Sequence, residues 1–74
     1  MNKQRRTDIS TVISKLESIK SELKSILLSE EIAFDSMPEN LQGSMRGEES
    51  EEAIDCMNEA VDNLEEAISQ LEEI

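Results

Sequence analysis

The chain has 74 residues, a net charge of −11 at pH 7, one phenylalanine as its only aromatic residue, one cysteine and no histidine. A chain of this length buries only about 60% of the surface that its unfolded form exposes, so we expect one small domain that self-associates. The negative charge and the lack of stacking aromatics argue against direct nucleic-acid binding. A lone cysteine, Cys56, favours a reducing, cytoplasmic location.

The sequence offers no machinery for catalysis. It has no histidine or tyrosine, no glycine-rich phosphate loop and no evident pair of nucleophile and base. It has no run of about 18 apolar residues, and the first ten residues, MNKQRRTDIS, lack the apolar centre of a signal peptide. We therefore expect a protein that is not an enzyme, needs no cofactor and does not associate with membranes.

The first half of the chain has the apolar period of an amphipathic helix, which we expect over about residues 8–35. In heptad notation the apolar positions are a (Ile9, Leu16, Leu23), d (Val12, Ile19, Ile26) and e (Ile13, Leu27). Such a stripe is broader than a two-stranded contact needs, so this helix should have more than one neighbour. Its other side carries small hydroxyl residues, which suit a solvated face or a second close contact: Thr11, Ser14, Ser18, Ser21 and Ser25.

The segment SMPENLQGSMRG, residues 36–47, is longer than a helical hairpin needs. Ser36 and Glu39 have the spacing of a capping box, and Pro38 is tolerated in a first turn, so a short helix is expected at about 37–42. Gly43 suits a left-handed residue that ends this helix, and Ser44 can cap the next one. Met37 and Leu41 should then turn toward Phe34 and the core.

The second long helix is expected over about residues 45–74, where three heptads read EEAIDCM, NEAVDNL and EEAISQL. Positions a, d and g hold apolar or small residues: Ile54, Val61, Ile68; Met57, Leu64, Leu71; and Ala53, Ala60, Ala67. Extended backward, the repeat places Gly47 at a and Ser50 at d, which predicts close approach of the short helix with its Leu41. The acidic row at f should be a solvated face rather than a metal site: Glu52, Glu59, Glu66 and Glu73.

These patterns predict an all-α fold, an antiparallel helical hairpin with a short helix in the connection, assembled into a homo-oligomeric helix bundle. Charge is segregated between the two arms. Residues 1–29 carry six bases and three acids, whereas residues 47–74 carry eleven acids and no base. A mildly basic helix is therefore expected to pack on a strongly acidic one.

The run FDSMPENLQGSMRGEE, followed by the EEAID-type heptads and preceded by MNKQRR, resembles small helical-hairpin proteins of unknown function encoded by phages and mobile elements of Gram-positive bacteria. The similarity extends over nearly the whole chain, and its PENLQGS segment is the more specific part. The resemblance implies a genomic context in which small proteins counter host defences, by blocking a host protein or by sequestering a signalling nucleotide.

A candidate binding site combines the basic N-terminus with the connection. In an antiparallel dimer of hairpins, the N-terminus of one chain would arrive beside the connection of the other, which suits a phosphate or ribose-bearing anion. The candidate residues are Arg5, Arg6, Asn40, Gln42, Gly43, Ser44 and Arg46. If Asn40 and Gln42 serve recognition, replacing them should leave stability nearly untouched. Alternatively, Arg5 and Arg6 pair with acids of their own hairpin: Glu65, Glu66, Glu72 and Glu73.

Three functions remain open at this point. The first is an oligomer that sequesters a nucleotide-like anionic signal near residues 36–47. The second is an acidic inhibitor that mimics nucleic acid and blocks a basic host protein, since eleven carboxylates can speed such an encounter. The third is a purely structural coiled-coil oligomer, because an acidic surface also keeps a helical assembly dispersed.

Overall fold

A computed structural model describes residues 1–74 as three helices, α1 (Lys3–Asp35), α2 (Glu39–Gln42) and α3 (Met45–Glu72). The helix α1 packs along α3 in a rod of 58 × 15 × 13 Å, and no strand is present. The contact between Arg6 and Ile74 at one end and the short connection at the other make the arms antiparallel. The all-α helical hairpin predicted from the heptads is confirmed.

The helix α1 begins at Lys3 rather than near Asp8, where the sequence placed it. The reason is a local cap: the side chain of Asn2 accepts a hydrogen bond of 2.8 Å from the backbone N–H of Arg5. The apolar period cannot report this start, because the first apolar a position is Ile9. The basic N-terminal residues therefore lie on an ordered helical turn, which fixes where their side chains can reach.

The seam between the long helices uses positions a and e of α1 against a, d and g of α3. Its side chains are buried or half-buried, and the most deeply buried apolar ones are Leu27, Val61 and Ile68. Position d of α1, expected in the same buried face, lies outside the seam instead, with Val12, Ile19 and Ile26 exposed. One neighbouring helix therefore covers only part of the apolar stripe of α1.

The seam becomes polar toward the connection. Ser50, which is buried at a d position of α3, donates a hydrogen bond of 2.7 Å to the carboxylate of Glu30 on α1. Glu30 continues the a series of α1 one heptad beyond Leu23. Because this layer contributes hydrogen bonding rather than apolar burial, the apolar part of the core is confined to the remaining layers of a short hairpin.

The connection departs from prediction at Ser36 and Gly43. Ser36 does not cap α2; it closes α1, and its hydroxyl donates to the carbonyl oxygen of Ile32 at 2.8 Å. Gly43 ends α2 at φ −85°, so no left-handed residue is needed there. The helix α2 starts after Pro38 without a side-chain cap, whereas Ser44 caps α3 as predicted by accepting from the N–H of Gly47.

Close packing at Gly47 is found as expected, but its partner differs from the prediction. Leu41 is 48% exposed and does not fill the space beside the glycine. The backbone of Gln42 does, since a Cβ added to Gly47 would lie 2.7 Å from Gln42 Cα and closer still to its carbonyl group. The end of α2 thus rests directly on the first turn of α3, an approach that only glycine permits.

We expect Gly47→Ala to lower the free energy of unfolding by about 1 to 3 kcal/mol, because the added methyl group must displace the backbone of Gln42. The matched control is Gly43→Ala, where an added Cβ has no neighbour within 4 Å. That variant should be neutral or stabilised by up to about 1 kcal/mol. Equal effects of the two substitutions in urea unfolding would contradict this packing.

Candidate functional site

A groove of about 380 Å³ opens between the end of α1 and the connection. Its walls are mostly apolar, and its one charged group is the guanidinium of Arg46 at the start of α3. The lining residues are Ala33, Ser36, Met37, Pro38, Leu41, Ser44 and Arg46. We refer to these seven residues as the loop groove. A mostly apolar concavity with a small number of polar groups is the usual form of a small-molecule site.

Arg46 is exposed and forms no ion pair within the chain. The two salt bridges of the hairpin lie elsewhere, between Lys20 and Glu17 at 3.3 Å and between Lys24 and Glu65 at 3.5 Å. The Arg46 guanidinium therefore keeps its donors available in a chain dominated by acids. A planar guanidinium of this kind can bind a phosphate or carboxylate through two parallel hydrogen bonds.

The other polar residues predicted for the connection do not share one surface. Ser44 lines the loop groove and also caps α3. Gln42 turns inward, where its Nε2 donates to the carbonyl oxygens of Phe34 at 3.2 Å and of Met37 at 3.3 Å. Asn40 and Gly43 are exposed but do not line the loop groove. Of the predicted residues in the connection, the structure thus brings together Ser44 and Arg46.

Arg5 and Arg6 lie at the opposite end of the hairpin from the loop groove. The Arg6 guanidinium donates a hydrogen bond of 3.0 Å to the carbonyl oxygen of Ile74, and it lines a separate groove of about 320 Å³ with Ile9, Ile13 and Leu71 among its walls. Neither arginine forms an ion pair with a carboxylate of α3. A single chain does not unite the two halves of the predicted site.

A third groove, of about 400 Å³, was not anticipated from the sequence. Four carboxylates surround the half-buried side chains of Phe34 and Ile54: Glu31, Asp35, Glu51 and Asp55. The sequence could have predicted this groove, since each long helix places two acids four residues apart beside an apolar residue of the seam. The geometry brings no three acidic groups together in an arrangement that could hold a metal ion. Its negative charge makes this groove unsuitable for an anion.

The outward face of α3 is a continuous acidic surface. Its f-position carboxylates are all exposed: Glu52, Glu59, Glu66 and Glu73. Glu65 is the one acid of α3 that forms an ion pair, with Lys24 of α1. The remaining acids of the helix are free to interact with an external cation or a basic surface, and they also repel one another at the i, i+4 spacing.

Comparison with protein-family models, curated proteins and solved structures finds no match for this chain. Neither long helix contains a stretch apolar enough to cross a lipid bilayer.

The position of Gln42 changes what its replacement should do. Gln42→Ala removes hydrogen bonds to the carbonyl oxygen of Phe34 at the end of α1 and to that of Met37 in the connection, and we expect a loss of about 1 to 2 kcal/mol in the free energy of unfolding. Asn40→Ala removes an exposed side chain that makes no hydrogen bond within the chain, and its effect should stay within about 0.5 kcal/mol. Urea unfolding of both variants checks this, and equal stability of Gln42→Ala and the wild type would contradict it.

Proposed function

We propose that this protein is a non-catalytic, self-associating binding protein that takes a nucleotide-like anion in the loop groove. The observation that carries the proposal is the free guanidinium of Arg46 on a mostly apolar groove, in a chain whose net charge is −11. An acidic protein disfavours anions everywhere except where a base stands without a local partner. The loop groove is such a place.

The groove suits a ligand with two chemical parts. The guanidinium of Arg46 can donate hydrogen bonds to the oxygens of a phosphate, whereas the hydroxyl of Ser44 already donates to the carbonyl oxygen of Leu41. Met37, Pro38 and Leu41 offer apolar walls for a base or a ribose ring. This division of polar and apolar groups favours a nucleotide over inorganic phosphate, which would leave the apolar walls unused.

A protein of this size that binds a nucleotide without converting it acts by lowering the free concentration of that nucleotide. The sequence resembles proteins that phages and mobile elements encode, and in that context the nucleotide would be a signal of host defence. The protein would then protect the element in proportion to the number of chains made.

A second candidate function is an acidic inhibitor of a basic host protein. The observation that favours it is the exposed, unpaired row of f-position carboxylates on α3. Such a surface can occupy a nucleic-acid site, and long-range attraction would speed the encounter. The loop groove plays no part in this function, so substitutions can separate the two.

Arg46→Glu tests the binding function. Native mass spectrometry of the protein purified from its host should show a retained small anion on the wild type, and this variant should lose it, because truncating a charge pair of this kind costs about 2 to 5 kcal/mol. The matched variant Glu59→Lys with Glu66→Lys changes only the acidic outward face of α3 and should keep the anion. Protection of the element that survives Arg46→Glu but fails with Glu59→Lys and Glu66→Lys would establish the acidic inhibitor instead.

A further inference from the structure

The apolar stripe at position d of α1 has no partner within the chain. Val12, Ile19 and Ile26 are 45%, 49% and 59% exposed, and they repeat every seven residues along one side of the helix. The same heptad position continues to Arg5 in one direction and to Ala33 in the other, and both are exposed. We refer to these five residues as the d stripe. Burying its three large members would remove substantial apolar surface from water.

We propose that the d stripe docks on the d stripe of a second copy of this chain, antiparallel, with the two-fold axis at Ile19. Val12 and Ile26 lie at equal distances on either side of Ile19, so the axis sets each Val12 against the partner's Ile26. The register follows from this symmetry, because a shift of one heptad would set either Val12 against the partner's small Ala33 or Ile26 against the partner's Arg5, and would bury less apolar surface.

The charges beside the d stripe support this occupant and this orientation. Lys15 and Glu22 occupy the adjacent g positions, are exposed and form no ion pair in the single chain. No charged residue lies three or four positions from either of them, so their own helix offers no partner. In the antiparallel register Lys15 faces the partner's Glu22, and the two-fold axis repeats the pair. In a parallel pair the g positions of the two chains would lie on opposite sides of the interface, so Lys15 would not face the partner's Glu22.

The single hairpin buries little apolar surface, and this favours association with a second copy. Only five of the 74 residues are buried in the single hairpin, and three of these are apolar side chains. A domain with so little interior is marginal on its own. A second copy that covers the d stripe gives α1 a neighbour on each side of its broad apolar face.

This register also completes the loop groove. At 1.5 Å per residue, Arg5 and Ala33 are about 42 Å apart on one helix and equidistant from the axis, so each Arg5 arrives level with the partner's Ala33. Ala33 lines the loop groove. Each groove would then receive a second guanidinium at its Ala33 wall, that of Arg5 from the other chain, in addition to its own Arg46. This last step rests on the proposed function, whereas the dimer and its register do not.

A charge exchange tests the orientation without any ligand. Lys15→Glu and Glu22→Lys, each alone, replace two attractive contacts by two repulsive ones and should raise the dissociation constant of the dimer roughly tenfold at low ionic strength. The double variant keeps the wild-type net charge and should return to within about threefold of the wild type. Sedimentation equilibrium measures all four proteins. A monomeric wild type, or a double variant as weak as either single variant, would overturn the proposal.

Disulfide trapping tests the register and the reach of Arg5, in a Cys56→Ser background. Chains with Arg5→Cys mixed with chains with Ala33→Cys should form a covalent heterodimer in a glutathione buffer, because those positions face each other. Neither variant should cross-link alone, since two copies of position 5 would stand about 42 Å apart. Cross-linking of either variant alone, or none in the mixture, would refute the register. Loss of the retained anion in Arg46→Glu bears on the binding function alone.

Discussion

The structure depends on one narrow seam between two helices. Positions a and e of α1 meet positions a, d and g of α3, and the only buried apolar side chains there are Leu27, Val61 and Ile68, none of which is completely shielded from solvent. In a contact between only two helices no further element covers the edges of the seam. The side chains at those edges therefore remain partly exposed to solvent. This constraint explains the exposed apolar side of α1. It also makes the contacts at the two ends of the rod, between Arg6 and Ile74 and within the connection, important for holding the helices together.

The connection is held by small residues in the first turns of α3. Gly47 admits the backbone of Gln42, and Ser50 joins Glu30 across the seam where a larger apolar pair would otherwise stand. Gln42 in turn donates to one carbonyl group at the end of α1, that of Phe34, and to one within the connection, that of Met37. These contacts give the twelve-residue connection a definite shape, and the loop groove with Arg46 is a consequence of that shape. The residues that fix the shape of the connection, Gln42, Gly47 and Ser50, are therefore different from the residues that line the loop groove.

The sequence was most informative where a period recurs. Spacing, or the absence of a side chain, was enough to predict the heptads of both long helices, the cap at Ser44 and the close approach at Gly47. The conformation of individual residues in the connection could not be predicted in this way. Ser36 could cap α2 or close α1 with equal chemistry, and Gln42 could face a ligand or the backbone. Tertiary packing decides such cases, and a single sequence does not encode it locally.

The candidate site was predictable in part. Arg46 follows from its isolation among acids, whereas Arg5 and Arg6 lie at the opposite end of the single chain, and only the proposed dimer would bring Arg5 to the loop groove. The breadth of the apolar stripe on α1 is the sequence signal behind the proposed dimer, since one neighbour cannot cover positions a, d and e together. The structure shows that position d is the one left uncovered by α3. The sequence pattern alone could not tell whether d or e would be uncovered.

If two copies associate through α1 as proposed, the small core of the hairpin couples its folding to their association. Urea unfolding followed by circular dichroism over a hundredfold range of protein concentration, with the mass measured by sedimentation equilibrium, tests it most directly. A dimer that unfolds as it dissociates has a midpoint that rises with protein concentration and a native mass of twice 8.3 kDa. A midpoint independent of concentration, at a native mass of 8.3 kDa, would contradict the claim.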